Sequence, residues 1–188
     1  MNDLILGILW ILYYALHSAL ASGMIKRNIL NSFPEVYRYF RTFYSFFAAV
    51  NFFLLLWLHS LSPSQQVFAV EVWIRITAII FLIGGLIVCL CAGKSYGIGF
   101  LFRETNNSKL ATTGINSLVR HPLYFGILMI VIGVFLYSPL LKNLVLLMVT
   151  FIYSIVGSYW EEKKLIELYG SEYLEYKRKV KMLIPWLL

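Results

Sequence analysis

The stretch Gly114–Gly126, Gly-Ile-Asn-Ser-Leu-Val-Arg-His-Pro-Leu-Tyr-Phe-Gly, joins a polar loop to a long apolar segment. Pro122 suits the first position of a helix, because its missing N–H would have no partner there and its φ is already helical. Arg120 and His121 then stand at the mouth of that helix, where free backbone N–H groups and the helix dipole favour an anion. The stretch therefore predicts a helix start that carries either a functional site or simple topology signals and lipid anchors.

The composition around this stretch is that of a membrane protein. The chain has 188 residues, of which 60% are hydrophobic and 13% charged, whereas a soluble domain is about half apolar and a quarter charged. The net charge is +7, but no basic run interleaved with aromatic residues suggests a nucleic-acid partner. Cys89 and Cys91 lie two apart in an apolar segment and point to different helix faces, so we expect core packing and neither a disulfide nor a metal site.

The apolar segments predict an all-α integral membrane protein with about five transmembrane helices. Residues 1–188 are expected to form a single membrane domain, because almost all of the length is needed for spans of about 20 residues. The expected spans are residues 4–22, 43–61, 72–93, 123–141 and 143–160, followed by a helical tail over residues 161–180.

The basic residues predict the orientation of these spans. With the N-terminus outside, fourteen of the sixteen Lys and Arg residues fall on the cytoplasmic side, and only Arg75 and Lys142 lie opposite. The cytoplasmic set is Lys26, Arg27, Arg38, Arg41, Lys94, Arg103, Lys109, Arg120, Lys163, Lys164, Lys177, Arg178, Lys179 and Lys181. The sequence thus predicts a multi-pass protein with a cytoplasmic C-terminus, and its basic excess reflects topology and attraction to anionic lipids.

The fourth and fifth spans predict a hairpin whose two legs have equal length. The segments Pro122–Pro139 and Asn143–Trp160 both contain 18 residues, so each leg is roughly 27 Å long, about one hydrocarbon thickness. The chain should therefore return to its starting depth and bring Glu161 and Glu162 beside the Arg-His pair. This juxtaposition predicts either a polar pocket or an ordinary interfacial ion pair of little energetic consequence.

The segment after the two glutamates predicts an amphipathic helical tail at the membrane surface. Gly170 should end one helical piece and Ser171 should cap the next. The apolar face is spaced at three to four residues and consists of Leu165, Tyr169, Tyr173 and Tyr176. Such a tail is either a lid over the predicted pocket or a plain surface anchor.

The ordered motifs resemble the isoprenylcysteine carboxyl methyltransferase superfamily, which includes phospholipid methyltransferases. The resemblance covers about residues 110–185, and a looser similarity of residues 12–22 points to the methanethiol S-methyltransferase and NnrU-type branch. The residues that carry the main resemblance are Leu110, Gly114, Arg120-His121-Pro122-Leu123-Tyr124-Phe125-Gly126, Glu161-Glu162, Leu165, Tyr169-Gly170, Tyr173, Tyr176 and Pro185.

The resemblance implies an S-adenosyl-L-methionine-dependent enzyme with its cofactor at the cytoplasmic end of the hairpin. By motif position, Leu110 and Gly114 would belong to the loop covering the adenosine. The walls of the cofactor pocket would be His121, Pro122, Tyr124, Glu161 and Glu162. As catalytic residues, Arg120 would anchor a carboxylate of cofactor or substrate. His121 would act as a base for a thiol or amine, or would pack against the cofactor.

Two departures from the family pattern bear on the acceptor and the cofactor. Prenylcysteine methyltransferases usually carry an arginine shortly before the glutamates, whereas residues 153–160 contain no basic residue. The aromatic residue commonly found two places after the motif glycine is Asn116 here. We therefore expect a small or lipophilic acceptor, with a thiol favoured. The alternatives are a prenylcysteine carboxyl or phospholipid methyltransferase, or a non-enzymatic NnrU-like membrane factor.

Overall fold

The computed structural model describes residues 2–96 and 110–187, and these residues are predominantly helical. The prediction of an all-α membrane fold is confirmed. The helices are α1 (Asp3–Ala21), α2 (Gly23–Ser32), α3 (Pro34–Leu61), α4 (Val72–Tyr96), α5 (Pro122–Tyr137), α6 (Leu141–Tyr169) and α7 (Ser171–Lys179), with a 3₁₀ turn over Gly114–Ser117. Two of the predicted cytoplasmic cations, Arg103 and Lys109, lie outside the described residues.

Four helices are long and apolar enough to cross a membrane, and a fifth is shorter. The four candidate spans are Asp3–Ala21, Thr42–Leu61, Val72–Ser95 and Leu141–Tyr169. Helix α5 is apolar but has 16 residues, so it is about 24 Å long, shorter than a hydrocarbon core of about 30 Å. The chain is therefore a multi-pass membrane protein, and a fifth complete crossing stays a prediction.

Helices α3 and α6 extend well past the expected span ends because they continue beyond the apolar segments, whereas α5 ends at Tyr137, before the expected end at residue 141. Helix α3 begins at Pro34, which occupies the first turn, so its first turns lie in the stretch that the sequence marks as polar. Helix α6 runs through Trp160 as far as Tyr169. Gly170 ends α6 with φ +55°, as predicted, but it is also the N-cap of α7, and the side chain of Ser171 does not fill that place.

The first compact unit, Met1–Gln65, contains α1, α2 and α3. Helices α1 and α3 meet around Trp10, which is fully buried and lies 6.0 Å from Phe52 between ring centroids. The Nε1–H of Trp10 donates a hydrogen bond of 3.2 Å to Nδ1 of the buried His59. The ring contact of Trp10 with Phe52 and its buried hydrogen bond to His59 thus join α1 to α3.

The second compact unit, Gln66–Leu188, is built on a close contact between α4 and α5. A Cβ atom at Gly85 would lie 2.6 Å from the carbonyl oxygen of Gly126, and one at Gly126 would lie 2.6 Å from Sγ of Cys89. Gly133 faces Leu82 in the same way. Small residues allow two backbones to approach in lipid, where packing drives helix association.

Helices α5 and α6 form the predicted hairpin through a tight turn at Ser138–Leu140. The side-chain amide of Asn143 donates to the carbonyl of Ser138 at 2.6 Å, and its backbone N–H donates to Leu140 at 2.9 Å. Near the other end of the hairpin, the hydroxyl of Tyr124 lies 2.8 Å from where a Cβ at Gly157 would stand. The start of α5 is therefore packed against the second half of α6.

Candidate functional site

The site centres on an ion pair between the residue before α5 and the far part of α6. Nε of Arg120 donates to Oε1 of Glu162 at 2.7 Å, and Nη2 lies 2.5 Å from the same oxygen. Both side chains are at least nine-tenths buried. The hairpin thus brings together the arginine and the glutamate that the sequence places at the same depth.

A second cation completes this pair from the tail. Nζ of Lys177 lies 2.6 Å from Oε2 of Glu162, so each carboxylate oxygen of Glu162 has its own cation. The sequence gives no signal for this contact, because Lys177 is one of three consecutive basic residues at the end of α7. It results from the reversal of the chain at Gly170.

His121 lies between the two glutamates. Its Nδ1 is 3.5 Å from Oε2 of Glu161, and its Nε2 is 3.6 Å from Oε1 of Glu162. Burial acts to lower the pKa of His121, but the two carboxylates outweigh it and raise the pKa above its ordinary value of 6.5. The imidazolium form is therefore held more strongly than in a free histidine. Glu161 differs from Glu162 because its side chain is 43% exposed.

The backbone at the mouth of α5 is bound by the end of the tail. The N–H of Arg120 donates to the carbonyl of Lys181 at 2.8 Å, and that of His121 donates to Met182 at 3.1 Å. Nη1 of Arg120 also donates to the carbonyls of Lys177 and Val180. The sequence had suggested that free N–H groups here would favour an anion. The N–H groups of Arg120 and His121 are instead bound, because the chain supplies its own carbonyl acceptors.

Two tyrosines of α7 complete the buried part of the site. Tyr173 and Tyr176 lie 5.9 Å apart between ring centroids, and the hydroxyl of Tyr176 donates to the backbone carbonyl of Asn116 at 2.6 Å. Burial raises the pKa of Tyr176 to about 12. Burial, followed by the charge of Glu162, raises the pKa of Tyr173 as well. Both hydroxyls are therefore protonated donors at neutral pH.

Several buried polar atoms in this region have no hydrogen-bond partner among the described residues. They are both side-chain amide atoms of Asn116, Nε2 of His121, Oγ of Ser158 and the hydroxyl of Tyr173. Ser158 precedes Glu162 by one helical turn, so the two share a face of α6. Buried polar groups are normally paired, so such a cluster beside a charged centre is typical of a ligand site.

The structure also describes the four other residues predicted to line the pocket. Pro122 is buried at the first position of α5, and Tyr124 packs over Gly157, with its ring 6.0 Å from that of His121. Leu110 is half-buried just before the turn. Gly114 begins the 3₁₀ turn with φ +65°, a conformation that favours glycine.

The fold and the site together define a multi-pass helical membrane protein with a charged, buried centre at one end of a helical hairpin. The chain belongs to the phospholipid methyltransferase family, whose profile matches residues 66–172. The match begins at the first residue of the second compact unit and contains α4, α5 and α6. The family resemblance read from the motifs is thereby confirmed.

Curated relatives match part of the chain. Methanethiol S-methyltransferase 1 of Bradyrhizobium diazoefficiens is 38% identical over 86 residues, which are 45% of this chain and 29% of that protein. Methanethiol S-methyltransferase of Crocosphaera subtropica is 38% identical over 87 residues, 45% of this chain and 32% of that protein. Protein-S-isoprenylcysteine O-methyltransferase of Saccharomyces cerevisiae is 35% identical over 101 residues, 51% of this chain and 41% of that protein. The chain thus spans less than half the length of these relatives, and no solved structure matches it.

Proposed function

We propose that this chain is a membrane methyltransferase that uses S-adenosyl-L-methionine and methylates a small or lipophilic acceptor, with a thiol favoured. The observation that carries the proposal is the ion-pair centre itself. Arg120 and His121 at the start of α5 lie within 3.6 Å of Glu161 and Glu162 on α6. This centre falls within the segment that matches the family.

The described residues fit the chemistry of this cofactor. Its amino-acid end is zwitterionic and its sulfur is cationic, so it needs carboxylates as well as hydrogen-bond donors. Glu161 offers a partly exposed carboxylate for the amino group or the sulfonium. The unpaired hydroxyls of Ser158 and Tyr173 and the Nε2 of His121 offer additional polar contacts.

Arg120 is better suited to hold the wall of the pocket than to anchor a ligand carboxylate. Its guanidinium already contacts Glu162 and the carbonyls of Lys177 and Val180. We therefore assign it to fixing Glu162 and the tail in place. Removing it would leave Glu162 buried with Lys177 and His121 as its remaining partners.

When bound, the cofactor supplies an electrophilic methyl group, and the residues of the chain orient the reactants and exclude water. His121 can act as a base only after it has lost its proton, which requires a pH above its raised pKa. A base role therefore predicts a rate that increases with pH through that pKa. A packing role predicts a rate that does not follow the titration.

A thiol acceptor is favoured over a prenylcysteine because residues 153–160 contain no basic group to hold a carboxylate. The names of two relatives agree with a thiol acceptor. Prenylcysteine and phospholipid acceptors are the competing outcomes of an acceptor screen.

The proposed orientation puts the N-terminus outside and the site and C-terminus in the cytoplasm, where the soluble cofactor is found. It rests on the distribution of Lys and Arg residues in the sequence. Green fluorescent protein fused after residue 188 should fluoresce, because it matures on the cytoplasmic side. A dark fusion with full expression would contradict the orientation.

The proposal is tested by calorimetric binding of S-adenosylmethionine and S-adenosylhomocysteine to the detergent-solubilised protein. Both should bind, and Glu161→Ala should bind at least about tenfold more weakly, since a charge-assisted contact contributes about 1.5–3 kcal/mol. Glu167→Ala is the matched control on the same helix, because Glu167 is exposed. No binding at millimolar ligand would reject the methyltransferase in favour of a non-enzymatic membrane factor.

A further inference from the structure

Asn116 is a buried amide whose side chain has nothing to pair with in residues 2–96 and 110–187. The residue is 1% exposed, and neither Nδ2 nor Oδ1 has a hydrogen-bond partner there. A buried polar group of this kind needs an explanation, because most such groups in native structures are paired. Asn116 leaves two side-chain atoms without a partner in the described part of the chain, whereas His121, Ser158 and Tyr173 each leave one.

The backbone around Asn116 is held firmly, so this burial is not that of a loose loop. The carbonyl of Asn116 accepts the hydrogen bond from the hydroxyl of Tyr176. Within the turn, Oγ of Ser117 donates to the carbonyl of Gly114, and the N–H of Leu118 donates to Ile115. The turn thus fixes the amide next to the tyrosines of α7.

A carboxamide presents one donor and one acceptor side by side. Its complement is a planar group with an adjacent acceptor and donor, such as the edge of an adenine ring, where a ring nitrogen accepts and the 6-amino group donates. The carboxylate of the proposed cofactor only accepts, and its ammonium group only donates. Its ribose hydroxyls can do both, but they do not hold a donor and an acceptor in one plane as the adenine edge does.

We propose that the side chain of Asn116 recognises the adenine ring by pairing with the 6-amino group and a neighbouring ring nitrogen. This inference rests on the proposed function and deepens it, because it assigns the residue that selects the base of the cofactor. The position is four residues before Arg120, so one short segment would contact the adenine and hold the charged centre.

The test compares S-adenosylhomocysteine with its analogue in which adenine is replaced by purine, which lacks the 6-amino group. Calorimetry on the full chain in detergent should show about tenfold weaker binding of the analogue to the wild type, because a buried acceptor then loses its donor. In Asn116→Leu the two ligands should bind within about threefold of each other. Thr113→Ala, which is exposed beside the same turn and makes no side-chain cap hydrogen bond, should keep the wild-type preference.

The ratio of the two affinities separates recognition from damage to the pocket. Thermal melting identifies a variant that has not folded. Asn116→Asp keeps the acceptor for the 6-amino group and loses the donor to the ring nitrogen, so it should bind both ligands more weakly while keeping the preference for S-adenosylhomocysteine. Equal binding of both ligands to the wild type, or a full preference retained in Asn116→Leu, would overturn the inference while leaving the methyltransferase proposal intact. Failure of S-adenosylhomocysteine to bind the wild type would overturn both.

Discussion

In the first unit, α1 and α3 meet around Trp10, and the hydrogen bond of its indole to His59 is the main buried polar contact described there. In the second unit, Glu162 is 97% buried and contacts two cations and a histidine. The family match starts at residue 66 and leaves the first unit out. The buried charge of Glu162 therefore lies in the unit that carries the family match, where several partners compensate for its desolvation.

The largest loss of stability in the second unit should come from Glu162→Gln. The change leaves the guanidinium of Arg120 buried without its carboxylate, which costs about 3 kcal/mol in the free energy of unfolding. For a chain of this size the melting temperature should fall by about 6–12 °C. Thermal melting in detergent measures this fall in melting temperature, and Glu167→Gln is the exposed control on α6. An unchanged melting temperature would mean that the ion pair does not stabilise the second unit.

The next effect should come from the contact between α4 and α5. Gly85→Ala places a Cβ atom 2.6 Å from the carbonyl of Gly126, and such overpacking costs about 2 kcal/mol, or about 4–8 °C in melting temperature. Gly93→Ala on the same helix meets nothing within 4 Å. It should be neutral or stabilising by up to about 1 kcal/mol. Equal effects of the two variants would argue against the close packing.

A smaller effect is expected in the first unit. Trp10→Phe removes the donor to Nδ1 of His59 and should lower the free energy of unfolding by about 1–2 kcal/mol. The affinity for S-adenosylhomocysteine should stay within about twofold, because the first unit lies outside the family match. Trp57→Phe, at an exposed position of α3, is the control. A large loss of affinity in Trp10→Phe would mean that the first unit contributes to binding.

The smallest effect concerns pH. Because the pKa of His121 is raised above 6.5 in the folded protein, its stabilising contribution is full below pH 6.5 and is lost as the pH rises through the raised pKa. The melting temperature of the wild type should therefore decline slightly from pH 6 towards pH 8, and the decline should be weaker in His121→Gln. A steeper decline in His121→Gln than in the wild type would contradict this sign.

Much of the second unit could be predicted from local sequence. Pro122 determined the start of α5, Gly170 determined the end of α6, and the equal legs of the hairpin brought Glu162 to Arg120. These features depend on residues whose conformation or spacing carries its own signal. They can be read from local sequence because none of them requires knowing which distant segment packs beside them.

The remainder depended on contacts between distant segments. The pairing of Lys177 with Glu162 follows from the direction in which the chain turns at Gly170, and three adjacent cations give no way to choose among them. The hydrogen bonds of the mouth of α5 to Lys181 and Met182 could not be foreseen either, because backbone acceptors leave no trace in side-chain patterns. The continuation of α6 past Trp160 was not foreseen, because hydropathy marks where the lipid ends and not where the helix ends.

The attachment of the tail to the mouth of α5 also imposes an order of assembly. Val180 follows Arg120 by 60 residues, so at about 5–20 residues per second roughly 3–12 s of synthesis separate the two halves of this contact. Glu162 follows Arg120 by 42 residues, so the last 18 residues of that interval, roughly 1–4 s, separate the synthesis of Glu162 from that of Val180. Until the tail is made, water can satisfy the N–H groups that Lys181 and Met182 will later bind. Biosynthesis thus completes the hairpin first and seals the site last.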